Sequence, residues 1–157
     1  MKKFKLTAKF VTNIFGKKLF RIKALVSFGN VNAGELGGFV EKEENLSNTG
    51  DAWVSGNALV YGDARVSGDA EVSGNAEVSG NADYSAVKGF GRYFRTTTFF
   101  RCTDKVVRVQ CGCFYGDLPQ FRSIVKKTHG EGKLAKEYLA IADLMEFHFS
   151  DEEDVDK

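Results

Sequence analysis

A chain of 157 residues is long enough for one core or two very small ones, which excludes any account needing several independent domains. It carries 17 Gly against one Pro and 14 Phe against two Met, biases that point to strands and turns. The net charge of +1 conceals a sharp partition: residues 1–30 hold eight bases and no acid, 31–85 ten acids against two bases, 86–149 eleven bases against six acids, and 150–157 five acids against Lys157.

No run of eighteen apolar residues occurs, and the basic start is not followed by the apolar stretch of an export signal. No membrane partner is expected, and the place of action reads as the cytoplasm. Cys102, Cys111 and Cys113 are an odd number without an export signal, so reduced thiols are expected rather than a disulfide framework.

Residues 1–33 read as a basic β-hairpin. Phe4, Leu6 and Ala8 alternate with Lys3, Lys5, Thr7 and Lys9, and a second run, Leu19 to Leu25, follows the turn from Asn13 to Lys18. Its eight bases form a solvated face, with phosphate or an acidic partner as the alternative.

From Gly50 six hexads follow without insertion, beginning at Gly50, Gly56, Gly62, Gly68, Gly74 and Gly80. In each, Ala and an aliphatic residue stand two apart and face one side of a short strand, while the residue between them faces the other. The Ser-Gly-Asn/Asp that follows is turn chemistry, since Gly accepts positive φ and Asn or Asp bonds its own backbone. Each hexad is thus a side plus a corner, and three sides make a coil of eighteen residues.

The runs Val54-Ser-Gly-Asn-Ala58, Val60-Tyr-Gly-Asp-Ala64, Val66-Ser-Gly-Asp-Ala70, Val72-Ser-Gly-Asn-Ala76 and Val78-Ser-Gly-Asn-Ala82 resemble the hexapeptide-repeat family of left-handed β-helices. That resemblance implies the handedness. The expected fold is mainly β: a short left-handed parallel β-helix over 34–87, the N-terminal β-hairpin, and a C-terminal α+β module over 88–149 made of a hairpin and two helices. The acidic tail 150–157 is expected to be disordered. Two coils need covered ends: Leu36, Phe39, Val40 and Leu46 could supply an irregular coil on one side, Val87 and Phe90 a plug on the other. Stacking at eighteen residues predicts outward ladders pairing Trp53 with Glu71, Leu59 with Glu77, Arg65 with Asp83 and Tyr61 with Ser79. Trp53, Leu59 and Tyr61 are then either an apolar contact patch or covered by the N-terminal hairpin.

After the repeat, Arg95–Cys102 and Val106–Cys111 are strand-like. Asp117 caps a helix with Pro119 in its first turn and Leu118, Phe121, Ile124 and Val125 on one face, ended by His129-Gly130. A second helix starts near Lys133, with Leu134, Tyr138, Ile141, Met145 and Phe149 at helical spacing.

Over nearly its whole length the chain also resembles a group of proteins carried by bacteriophages and prophages. The shared features are Phe28-Gly-Asn-Val31, Gly34-Glu-Leu-Gly-Gly-Phe39, Glu43-Glu-Asn-Leu46, the hexads, Arg95-Thr-Thr-Thr98, Cys111-Gly-Cys-Phe114 and Thr128-His-Gly130. The resemblance implies a phage context in the host cytoplasm and, by analogy, inhibition of a host defence system of the anti-CRISPR kind.

Three sets of residues carry candidate chemistry. The acidic surface and its apolar neighbours, Glu41, Glu43, Glu44, Asp51, Trp53, Leu59, Tyr61, Asp63, Asp69, Glu71 and Glu77, suit a host protein or nucleoprotein partner and self-association into a homo-oligomer, because an anionic face can occupy a groove meant for phosphate. The basic and aromatic set, Lys88, Arg92, Tyr93, Phe94, Arg95, Arg101 and Arg108, suits a nucleotide or nucleic acid, since arginines fork onto phosphate and aromatic faces stack bases; the plainer reading is a half-buried hairpin with solvated arginines. Gly89-Phe-Gly91 lacks the third glycine of a dinucleotide loop. Cys102, Cys111, Cys113 and His129 would have to converge to hold zinc, and buried free thiols are the commoner outcome. Hexapeptide β-helices often belong to acyltransferases with a catalytic His among the coils, yet His129 and His148 both lie beyond the repeat. The expectation is therefore a non-enzymatic interaction protein without cofactor or metal, binding a host macromolecule through the acidic set; the alternative is the nucleotide- or nucleic-acid-binding module, with a thiol or acyl-transfer enzyme last.

Overall fold

A computed structural model describes residues 2–150. The alternating N-terminal segment forms strands β1 (Phe4–Thr12) and β2 (Lys18–Ala24), antiparallel with Phe4 opposite Ala24 and Phe10 opposite Phe20. Their turn is tied by Asn13, whose side-chain oxygen accepts from the Phe15 and Lys17 amides at 2.9 and 3.0 Å. Strand β3 (Leu36–Val40) pairs with β2 on one side. Its own Gly37 is obligatory, because a Cβ there would stand 2.5 Å from the Val54 carbonyl oxygen and 2.7 Å from the Trp53 ring.

The hexads supply four two-residue strands: β4 (Trp53–Val54), β5 (Leu59–Val60), β6 (Glu71–Val72) and β7 (Glu77–Val78). Trp53 stands opposite Glu71 and Leu59 opposite Glu77 in parallel register, an offset of eighteen residues. From Ala52 to Val78 the alternating Ala and Val of the repeat are at most 2% exposed, so the period-two reading of the inner face holds. Phe39 and Val40 continue this parallel pairing onto Leu59 and Val60, and Leu46 bridges to Val66.

The expected class, a short left-handed parallel β-helix, is nevertheless corrected. The molecule is a mixed α/β protein with three separate sheets: a mixed five-stranded sheet in the order β1-β2-β3-β5-β7, a two-stranded parallel sheet β4-β6, and a four-stranded antiparallel sheet beyond the repeat. Of the hexad strands, β4 and β6 pair as a small sheet of their own, whereas β5 and β7 extend the sheet of the N-terminal hairpin through β3. The sixth hexad also departs from the pattern. Residues Asn81–Asp83 form a 3₁₀ turn, held by the Asp83 carboxylate accepting from the amides of Ser79 (2.9 Å) and Gly80 (3.2 Å). The expected Arg65–Asp83 ladder is therefore not made; the Arg65 amide donates to Asn81 at 2.9 Å and Asp83 pairs with Arg101.

Strands β8 (Tyr84–Phe90), β9 (Arg95–Arg101), β10 (Val107–Cys111) and β11 (Phe114–Asp117) form the antiparallel sheet, followed by helices α1 (Leu118–His129) and α2 (Lys133–His148). Alternation along β9 sends Phe99 into the core beneath the helices and Phe100 into the core of the repeat. Phe100 and Cys102, rather than Val87 and Phe90, thus plug the far end of the repeat. Among the described residues no helix is long and apolar enough to cross a membrane. The tail expected to be disordered lies, apart from Ser150, outside the described residues.

Helix α1 opens on a reciprocal cap: the Gln120 amide donates to the Asp117 carboxylate at 2.8 Å, and the Gln120 side-chain oxygen accepts from the Asp117 amide at 2.9 Å. Asp117→Ala is expected to cost about 1 kcal/mol and lower the Tm by about 2–4 °C, measured by thermal denaturation followed by circular dichroism.

Candidate functional site

The acidic set is largely engaged inside the molecule. Glu41 accepts from the Gly62 amide at 2.9 Å and pairs with Lys17 at 3.6 Å, and the amide above all holds its carboxyl below the ordinary carboxylate range. Glu43 pairs with Lys2, Asp69 with Lys88, and Glu77 accepts the Tyr61 hydroxyl at 3.0 Å. Only Glu44, Asp51, Asp63 and Glu71 of that set are exposed and without an ion pair among the described residues. Of the two readings open for Trp53 and Tyr61, the covered one is found: they are 3% and 7% exposed. Phe28 meets Trp53 edge-on at 5.4 Å, and Leu19 and Phe39 enclose Tyr61, with Leu59 partly buried beside them. The N-terminal segment covers these side chains, which removes the apolar patch.

The basic set divides in the same way. Lys88 is paired with Asp69, Arg101 with Asp83 at 3.2 Å, and Arg108 makes a two-pronged contact with Asp104 at 2.9 Å on each prong. Arg92 and Arg95 have no acidic partner among the described residues. Arg92 lies in the β8–β9 connection and Arg95 opens β9; in that connection Tyr93 is 71% and Phe94 68% exposed and Phe94 takes φ +54°, a left-handed conformation that costs a bulky residue about 1–2 kcal/mol. The Arg95 guanidinium lies 5.3 Å from the Tyr93 ring.

Beneath this loop is a cavity of about 260 Å³. Arg92, Tyr93 and Arg95 form one wall, the Cys111–Cys113 turn a second, and α1 and α2 the floor with Phe121, Val125, His129 and Tyr138; Phe114, Ile124 and Thr128 complete it. Two glycines let the walls approach. A Cβ on Gly91 would collide with the Tyr138 hydroxyl, and one on Gly112, at φ +59°, with the Arg95 guanidinium, which therefore rests against the turn. Tyr138 donates to the Phe90 carbonyl at 3.2 Å and stacks on His129 with ring centres 5.9 Å apart. The Thr97 hydroxyl donates to the Cys111 sulfur at 3.2 Å. Among the described residues no carboxylate lines the cavity.

Of the four groups whose convergence a zinc site would require, Cys111, Cys113 and His129 border this cavity, whereas Cys102 is buried in the repeat core, where burial pushes its thiol up. All three cysteines are free thiols, and among the described residues no three His, Cys, Asp or Glu side chains are grouped to hold a metal. Apart from His129, the helix residues of the floor were not singled out from sequence, because Phe121, Val125 and Tyr138 read there only as core positions.

Tyr61 and Tyr138 both titrate at about 12, each first through burial, with Glu77 next for Tyr61 and Cys111 for Tyr138. The neutral phenols are favoured by folding, so their contribution is fully present below the unfolded value of about 10 and is lost as pH rises through the folded value. Stability is expected to fall between about pH 10 and 12, and Tyr138→Phe to flatten that fall, read from denaturation midpoints and from phenolate absorbance.

No protein-family model matches the chain, and no curated protein matches it.

Proposed function

We propose that this chain is a binding protein of the nucleotide-recognising class, taking a planar ring into the cavity and its phosphate onto Arg92 and Arg95. One observation carries the reading: among the described residues, the two arginines of the basic set that lack an acidic partner are the two that border a cavity lined by no carboxylate. An arginine not already neutralised keeps its fork free for phosphate. Phe114, Phe121 and Val125 supply apolar wall for a ring, and Tyr93 an open aromatic face at the rim. A cavity of about 260 Å³ suits one ring system with the phosphate left at the mouth.

Long nucleic acid is a poorer fit, because Lys88, Arg101 and Arg108 are committed to Asp69, Asp83 and Asp104. In the bacteriophage setting that the sequence resemblance implies, binding without turnover amounts to withdrawing a host nucleotide from use. Calorimetric titration with nucleoside mono- and diphosphates, the matching nucleosides, inorganic phosphate and a single-stranded oligonucleotide tests this. Nucleotides are expected to bind more tightly than either nucleoside or phosphate alone, and more weakly as salt rises. Absence of nucleotide binding, or binding by the oligonucleotide only, overturns the reading.

A further inference from the structure

Cys111 closes β10 and Phe114, opposite it, opens β11, so Gly112 and Cys113 alone make the turn between the two strands. Gly112 takes φ +59°, which brings the chain round in two residues. Both flanking thiols border the cavity: Cys113 is exposed and Cys111 half-buried, with the Thr97 hydroxyl donating to its sulfur at 3.2 Å. Alpha carbons two residues apart lie at most about 7 Å from each other, and less where the chain turns, which falls within the roughly 4.4–6.8 Å that a disulfide bridges. The third thiol, Cys102, is shut in the repeat core at 3% exposure and does not compete.

We propose that Cys111 and Cys113 form a reversible thiol–disulfide pair, closed by a peroxide, that moves Arg95 off its seat and so controls the cavity. The exposed Cys113 sulfur attacks hydrogen peroxide first; the O–O bond breaks, giving a sulfenic acid and one water. The Cys111 sulfur then displaces that oxygen as a second water, and the S–S bond forms. Two electrons pass from the thiols to the peroxide, and both thiol protons end in water. The ring so closed contains the turn on which the Arg95 guanidinium rests, where a single Cβ on Gly112 would already strike it. Drawing the sulfurs together reshapes that turn beneath the guanidinium. An exposed disulfide in so short a loop is labile, so a thiol reductant reopens it. The loss of nucleotide affinity that follows rests on the reading of Arg92 and Arg95 as the phosphate site; the bond and the movement of Arg95 do not.

Treatment of the full chain with hydrogen peroxide, followed by mass spectrometry, tests the bond. Both cysteines fall in one tryptic peptide, residues 109–122, which is expected to become lighter by two hydrogens, and the thiol count of the unfolded chain to fall from three to one. Dithiothreitol is expected to reverse both changes, and Cys111→Ser or Cys113→Ser to prevent them. The Arg95 Nε–H resonance, identified by its loss in Arg95→Ala, is expected to shift on oxidation of the wild type and not of either serine variant. In calorimetry with the four ribonucleoside 5′-monophosphates, the oxidised chain is expected to bind roughly tenfold or more weakly than the reduced one. Bond formation and a shifted Arg95 without nucleotide binding by either form would uphold the thiol pair and sink the nucleotide reading alone. A peptide that gains oxygen instead, a disulfide-linked dimer, an Arg95 resonance that stays in place, or equal nucleotide binding by both forms overturns the inference.

Discussion

Replacing Arg92 and Arg95 together by alanine is expected to abolish nucleotide binding, and either replacement alone to weaken it by roughly tenfold to a hundredfold, the range of one charge-assisted hydrogen bond to phosphate. Both side chains are exposed and without an ion pair among the described residues, so the Tm is expected to move little. Arg101→Ala, which removes a cation already paired with Asp83, is expected to leave binding nearly unchanged and serves as the control. Gly112→Ala offers a second approach: it removes no cation but crowds the Arg95 guanidinium off the turn, at a φ of +59° that also strains alanine. Its expected loss approaches that of Arg95→Ala. Calorimetry on the five variants decides the matter, and equal losses from Arg92→Ala and Arg101→Ala would mean that phosphate is held diffusely rather than at the cavity.

Much of the local structure was legible because it depends on neighbours in sequence. Asp117, Pro119 and Gly130 mark both ends of α1, and the recurring Ala and Val mark the buried side of the repeat. The eighteen-residue offset was legible too, as the Trp53–Glu71 and Leu59–Glu77 pairs show. What the pattern could not convey is how strands only two residues long distribute among sheets. That is decided by the competition of β3 and β9 for their edges and faces, which are contacts distant in sequence. The site was legible only in fragments. Arg92 with Tyr93, Cys111 with Cys113, and His129 each stood out, but nothing in their spacing says that the β8–β9 loop, the β10–β11 turn and α1 meet around one cavity. Nor does a charge count show which ions are already paired. The acidic middle of the chain looked like a free surface until Lys2, Lys17, Lys88 and Arg101, from outside it, were seen to reach across.

The largest effect on stability is expected from Phe100→Ala. Phe100 is fully buried, stacks on Tyr115 with ring centres 6.2 Å apart, and closes the far end of the repeat core. Removing it should cost about 3–5 kcal/mol, a large share of the roughly 5–15 kcal/mol that hold a domain folded. The bare end would also open to water the Ala and Val interior with which Phe100 and Cys102 share a core. Phe99, adjacent on the same strand but turned into the helix core, is expected to cost a similar amount when truncated. Because one strand contributes to both cores, each variant should lower a single transition, observed alike by tryptophan fluorescence from Trp53 in the repeat and by helical circular dichroism from α1 and α2. Two separate transitions, with Phe100→Ala lowering only the fluorescence step, would show instead that β9 is a hinge between independently folding halves. The Arg92 and Arg95 site would then survive loss of the repeat, since every residue that borders its cavity lies in the second half.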